Sequence, residues 1–239
     1  MCDSGNSPWR TLIDRIARVF LTGLIAAIEK PFVGAYELET DVDLPGAGDG
    51  PTQFFYPGGS ETASVAVGSS DLLLKIIPID RQPWLANFSG DDYPFTTITT
   101  CPDPDSFCAV AHGLGYLVKA NDPRSWSEVR ALPILQVFPD EDHELLLFAD
   151  FTRIAAYGGA GLSWLADLVL DGLRILSRTG AELRIRGDTY AGPQEQLVID
   201  VVTGEVIELP CGHRNWTPFI KPYAGRKCLI CGERRLNPR

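Results

Sequence analysis

Residues 144–208 read ELLLFADFTRIAAYGGAGLSWLADLVLDGLRILSRTGAELRIRGDTYAGPQEQLVIDVVTGEVIE. Short apolar runs separated by glycine corners fill the whole stretch, and that pattern decides the fold. LRILSR (173–178) and AELRIR (181–186) meet at Thr179-Gly180, a short link with glycine where a hairpin needs positive φ. Strand alternation puts Leu173, Ile175, Leu183 and Ile185 on one face and Arg174, Arg184 and Arg186 on the other. Thr203-Gly204 joins LVIDVV (197–202) to EVIEL (205–209), and Gly158-Gly159 and Asp171-Gly172 supply two more corners. The pattern predicts an antiparallel meander with one wet face.

Upstream, β signals begin at Phe32. FVGAYELE, TQFFYP, TASVAVG, DLLLKIIPI and LPILQVF read as strands, and SFCAVAHGLGYLV (106–118) as two strands around His112-Gly113. LPGAGDGP (44–51) is a loop, since its glycines and prolines sustain neither regular element. Residues 81–100 read as irregular, with Trp84, Phe88, Tyr93 and Phe95 stapling a long loop onto the core. Asp122-Pro123 predicts the cap and first turn of a short helix, RSWSEVR. The one long helical pattern is residues 8–29. Ser7 is its cap, and Leu12, Ile13, Ile16, Phe20, Leu24 and Ile28 lie opposite Arg10, Asp14, Arg15 and Arg18. Its apolar run is too short to span a bilayer, so a packed helix is expected and membrane attachment is not. The expected organisation is an N-terminal helix (1–31), an antiparallel β domain (32–209) and a small C-terminal module (210–239).

LLLFADFTRIAAYGGAGLSW (145–164) resembles the repeat of quinoprotein-type β-propellers, through Phe148, Ile154, Ala155, Ala156, Gly161 and Trp164. VIDVVTGEVI passes for a second piece. The resemblance implies blades repeated around a ring of at least about four. No clean repeat precedes it, so the expected class is mainly β, a sandwich or partial propeller-like meander. No cofactor or binding residue is carried over.

The strongest chemical signal is Cys211-Gly-His213 followed by Cys228-Leu-Ile-Cys231. Two short knuckles separated by a loop supply the four soft or borderline ligands that zinc takes in a tetrahedron. Cys228-Leu-Ile-Cys231-Gly232 resembles a zinc-ribbon knuckle, while Cys211-Gly-His213 departs from the commoner Cys-x-x-Cys. Four ligands make a closed, structural site, and iron is the alternative metal. Cys101, Cys108 and His112 form a second candidate site, a metal set or a nucleophile and base. Strand alternation puts Cys108 and His112 on one face, and buried thiols beside a hydrogen-bonded histidine is the preferred reading.

Charge is unevenly spread. Residues 211–239 hold seven basic residues against Glu233, a net +6 that leaves −16 for residues 1–210 out of a total of −10. Lys227, Arg234 and Arg235 are candidate contacts to phosphate or to a partner. The lack of a convincing signal peptide points to a cytoplasmic protein with reduced thiols. No phosphate loop, dinucleotide fingerprint or nucleophile elbow is present. Asp150, Asp171, Asp188 and Asp200 fall at strand ends, where aspartate caps turns. The function expected is that of a non-enzymatic interaction protein with a structural zinc site and a protein partner. The alternatives are a hydrolase-like enzyme using aspartates and His112, or a nucleic-acid-associated factor working through the basic module.

Overall fold

The computed structural model describes residues 27–40, 51–57, 60–61, 72–168, 170–188, 194–208, 216–219, 225–228 and 234–236. The first strands are β1 (Ile28–Glu29), β2 (Tyr36–Glu39), β3 (Gln53–Tyr56), β4 (Ser60–Glu61), β5 (Leu72–Pro78) and β6 (Trp84–Phe88). Sheet I has the order β2-β5-β6-β3-β4. Next come β7 (Thr97–Thr100), β8 (Ser106–Ala111), β9 (Leu114–Lys119) and β10 (Asp122–Glu128). These four form the sheet II meander, and β1 joins its edge parallel to β7. Sheet III is the meander β11 (Gln136–Asp140), β12 (Leu145–Ala149), β13 (Arg153–Gly158) and β14 (Gly161–Asp167). Sheet IV is the meander β15 (Asp171–Thr179), β16 (Glu182–Asp188), β17 (Glu195–Asp200) and β18 (Val206–Glu208). A last three-stranded sheet holds β19 (Trp216–Phe219), β20 (Gly225–Cys228) and β21 (Arg234–Leu236). In sheets II, III and IV four consecutive strands pair antiparallel, the connectivity of a propeller blade, whereas sheet I is mixed.

The sheets stack in chain order, with a hydrophobic layer between each pair. Tyr56, Leu74, Ile76 and Phe88 of sheet I pack with Phe107, Tyr116 and Val118 of sheet II. Cys108 and Val110 on the other face of sheet II pack with Leu146, Phe148 and Ala155 of sheet III. Leu147, Ile154 and Ala156 then face Leu173, Ile175, Leu183, Ile185 and Ile199 of sheet IV. Sheets II and III are therefore covered on both faces, which is why β8 and β12 are buried at every position. Sheet IV is covered on one face, and β16 alternates exposed and buried along its whole length. The expected single meander with one wet face is thus two sheets; sheet III is buried along β12 and exposed along its edge strand β14, while sheet IV keeps a wet face.

Two tryptophans fasten neighbouring sheets. Trp84 Nε1 donates to the Ala120 carbonyl at 2.9 Å, tying sheet I to the β9–β10 turn. Trp164 Nε1 donates to the Val201 carbonyl at 2.9 Å, tying sheet III to the β17–β18 turn. Gly204 in that turn has φ +74°, and a Cβ there would lie 2.6 Å from the Trp164 indole. The turn therefore needs glycine both for its backbone and for the close approach of the ring.

Several sequence expectations are corrected. RSWSEVR is strand β10, paired with β9, because Trp126 inserts beside Tyr56 and Tyr116 and tertiary packing overrides the cap signal. Residues 81–100 contain β6, the sheet I strand between β5 and β3, and β7; Trp84 and Phe88 are core residues of regular structure. The end of the expected N-terminal helix is β1, where Ile28 and Glu29 pair with Ile98 and Thr99, and Lys30-Pro31 follows. The rest of that helix, and the expected strand TASVAVG, lie outside the described residues. Pro139 sits within β11, an edge strand that tolerates its missing N–H.

Trp164→Phe leaves the Val201 carbonyl without its donor and should cost about 1–3 kcal/mol in chemical denaturation. Gly180 also has positive φ, but a Cβ there meets nothing within 4 Å. Gly204→Ala should therefore be more destabilising than Gly180→Ala by at least about 1 kcal/mol, the range for overpacking. Equal losses would show that the indole contact contributes nothing.

Candidate functional site

Of the expected zinc ligands, Cys211, His213 and Cys231 lie outside the described residues. Cys228 ends β20 opposite Trp216 in register. Among the described residues, no three His, Cys, Asp or Glu side chains are grouped to hold a metal. Cys101, Cys108 and His112 are all described and do not assemble. Cys101 and Cys108 are free thiols buried in the layer between sheets II and III. Burial pushes both thiols up, and for Cys101 the neighbouring Cys108 and Asp103 add to the effect, so neither supplies a thiolate. His112 lies at the β8–β9 turn with φ 45°, about 13 Å along the chain from Cys108 at strand rise. Its backbone N–H donates to Thr96 Oγ1 at 3.1 Å, and no hydrogen bond or ion pair of its ring occurs among the described residues.

The strand-end aspartates serve the turns. Asp150 is buried, and its Oδ1 accepts from the Thr152 and Arg153 amides at 2.8 and 2.7 Å while Oδ2 accepts from Leu132 N–H at 3.1 Å. Asp200 Oδ1 accepts from Val202 and Thr203, both at 2.9 Å, and the Thr203 amide above all holds this carboxyl below its ordinary range. Asp171 accepts from the Gly172 amide at 2.8 Å. Asp171 and Asp188 are cross-strand partners, which the sequence did not place together.

An unforeseen polar network joins sheets III and IV. Asp140, at the end of β11, is fully buried as a side chain and faces both His143 and Arg178. His143 Nδ1 lies 2.8 Å from Asp140 Oδ2 across a single 3-10 turn, Glu141–His143. Arg178 Nε lies 3.0 Å from Asp140 Oδ1, close enough for charge attraction but poorly aligned for a hydrogen bond. The same guanidinium pairs with Asp142 and donates to the Gly180 carbonyl. His143 is thus half-buried and partnered. The spacing of Asp140 and His143 around an acidic turn was the available signal, whereas Arg178 arrives from the next sheet. The network holds a charge in place; among the described residues no nucleophile stands beside it.

Two clefts open between sheets. One, of about 380 Å³, lies between sheet I and the β9–β10 turn and includes Arg81, Trp84, Asp122 and Arg124. The other, of about 320 Å³, lies between sheet II and the β13–β14 hairpin and includes Asp103, Ser106, Lys119, Ser127 and Tyr157. Desolvation pushes the Asp103 carboxyl up, but hydrogen bonds from Lys119, Ser106 and the Asp105 amide outweigh it and hold it below the ordinary value. Its favourable contribution to stability is present at neutral pH and is lost as pH falls through that lowered value.

No family model matches the sequence, and no curated protein matches it. Among solved structures the chain is similar to the crystal structure of the N-terminal domain of Nup159, at 11% identity and a TM-score of 0.36. The match covers 87% of this chain and spans 64% of that one, and at this level it carries no argument about function.

Arg178→Ala should destabilise the protein by about 3 kcal/mol, because Asp140 is left buried without its guanidinium. Asp140→Asn combined with Arg178→Ala should cost less than the sum of the two changes, and strict additivity would refute the coupling. In the folded protein at pH 8, peptides carrying Cys101 and Cys108 should escape iodoacetamide labelling and react only after unfolding. Rapid labelling of either would contradict their burial.

Proposed function

We propose that the protein is a non-enzymatic interaction protein whose β body recognises a protein partner. A structural zinc site of Cys211, His213, Cys228 and Cys231 then fixes the C-terminus as a second contact surface. On this reading the four sheets act as blade-like units and the protein works in the cytoplasm. Among the described residues, no helix is long and apolar enough to cross a membrane. The observation that carries the reading is the open end of the stack. Val206 and Ile207 on β18 are exposed, as are Val202 in the preceding turn and Leu176 on β15. β18 pairs only with β17 among the described strands, so its outer edge is free to accept a strand. In sequence, Cys211 follows the last residue of β18 by three positions.

A second reading rests on the last sheet. Register places Lys227 opposite Arg234 and Arg226 opposite Arg235, four basic positions on two neighbouring strands. Such a cluster suits a phosphate backbone, and the acidic body opposes it at long range.

Metal analysis of the purified protein should give about one zinc per chain, falling to background in Cys228→Ser/Cys231→Ser; less than about half an equivalent contradicts a four-ligand site. Affinity capture should retain a partner on the wild-type chain and lose it at least about tenfold with Val206→Lys/Ile207→Lys. Capture indifferent to these changes but abolished by Lys227→Ala/Arg234→Ala/Arg235→Ala, with nucleic acid in the eluate, would replace the first reading by the second.

A further inference from the structure

We propose that the cleft between sheet II and the β13–β14 hairpin is a binding site for a small, neutral, polyhydroxylated ligand about the size of one hexose ring. Its volume of about 320 Å³ sits at the lower end of the range for small-molecule sites. One wall is the face of β8–β10 turned towards sheet III. Ser125, Trp126 and Ser127 all contribute to this wall, the Trp126 ring also packing with Tyr56 and Tyr116, and Ser127 pairs with Leu117. Ser106 and Lys119 stand beside them, and Tyr157 with Gly158–Gly161 forms the opposing wall.

The charge pattern selects the ligand. Asp103 and Lys119 form an ion pair on the wall, so the cleft contains one charge of each sign. A free anion would meet Asp103 and a free cation would meet Lys119. A neutral ligand avoids both penalties. Asp103 already accepts from Ser106 Oγ at 2.6 Å and from the Asp105 amide at 3.2 Å, which fixes its orientation. The ammonium of Lys119 carries three N–H donors, and the Ser125 and Ser127 hydroxyls each donate and accept. Mixed donors and acceptors suit the hydroxyl groups of a polyol, while Leu117 offers apolar surface to the C–H face of a sugar ring.

Access is built into the hairpin. A Cβ at Gly159 would meet only the Pro102 carbonyl, at 4.0 Å, and one at Gly161 would meet nothing within 4 Å. The tip therefore brings no side chain larger than the Ala160 methyl, itself part of the lining, to the cleft. Gly159 lacks positive φ, so a large residue fits its backbone and blocks the entrance.

The test is saturation-transfer NMR on the full chain with glucose, galactose and myo-inositol at about 5 mM each, a range suited to weak ligands. Acetate and methylammonium serve as charged controls. At least one polyol should receive saturation and the two ions should not. Gly159→Phe should abolish that signal, and Ser127→Leu should reduce it at least about tenfold, both with an unchanged melting temperature. The proposal is overturned if none of the three polyols receives saturation, if both variants leave the signal intact, or if either ion binds more strongly than the polyols. None of these outcomes bears on the partner surface at β18, which belongs to sheet IV and not to the two sheets that form the cleft.

Discussion

The structure depends on burying apolar side chains on both sides of the same strands. β8, β12 and β13 carry large or close-packing residues at successive positions, so neither face of these inner strands of sheets II and III tolerates water. A strand of that kind is stable only between two other layers. Once sheets II and III are placed against each other, sheets I and IV are needed on their outer faces, and the order of the stack follows the order of the chain. The alanines matter as much as the large residues. Ala155 lies opposite Phe148 and Ala156 opposite Trp164, so each bulky ring has a small neighbour that lets the sheets approach.

The tryptophan indoles set how the outer sheets sit. Each combines a large apolar contact with one hydrogen bond to a carbonyl at a turn of the adjoining sheet. The carbonyl would otherwise be buried without a donor, so the bond fixes the turn as well as the sheet. At the sheet III–sheet IV junction the same region is fastened again by Asp140 and Arg178. Sheet IV is therefore held firmly on one side and, among the described residues, left uncovered on the other. An interaction surface benefits from that combination, because a rigid element loses little freedom on binding.

Much of this was legible from residues 144–208. The alternation of Leu173, Ile175, Leu183 and Ile185 against Arg174, Arg184 and Arg186 survives in the structure, and Gly180 and Gly204 take positive φ at the turns. Local signals failed where distant contacts prevailed. Asp122-Pro123 carries a sound helix-start pattern, yet Trp126 is drawn into an aromatic cluster with residues from sheets I and II, and pairing with β9 follows. Two-sided burial was also hidden, since a short apolar run reads alike whether one face or both are covered. The candidate site was harder still. Cys108 and His112 share a strand face by parity, but distance along the strand separates them. Asp140 and Arg178 meet only because two sheets stack, and no spacing rule connects positions on different sheets.

The central claim is a stack in which the inner strands of sheets II and III are covered on both faces while sheet IV, among the described residues, ends in an unpaired edge at β18. Amide hydrogen exchange on the full chain tests it most directly, because protection reports burial and opening strand by strand. The account predicts the slowest exchange in β8, β12 and β13, intermediate exchange in β15–β17, and the fastest of these in Val206–Glu208 of β18. Protection of β18 equal to that of β12 would mean that another element covers the edge, and the stack would not be open where the partner is placed.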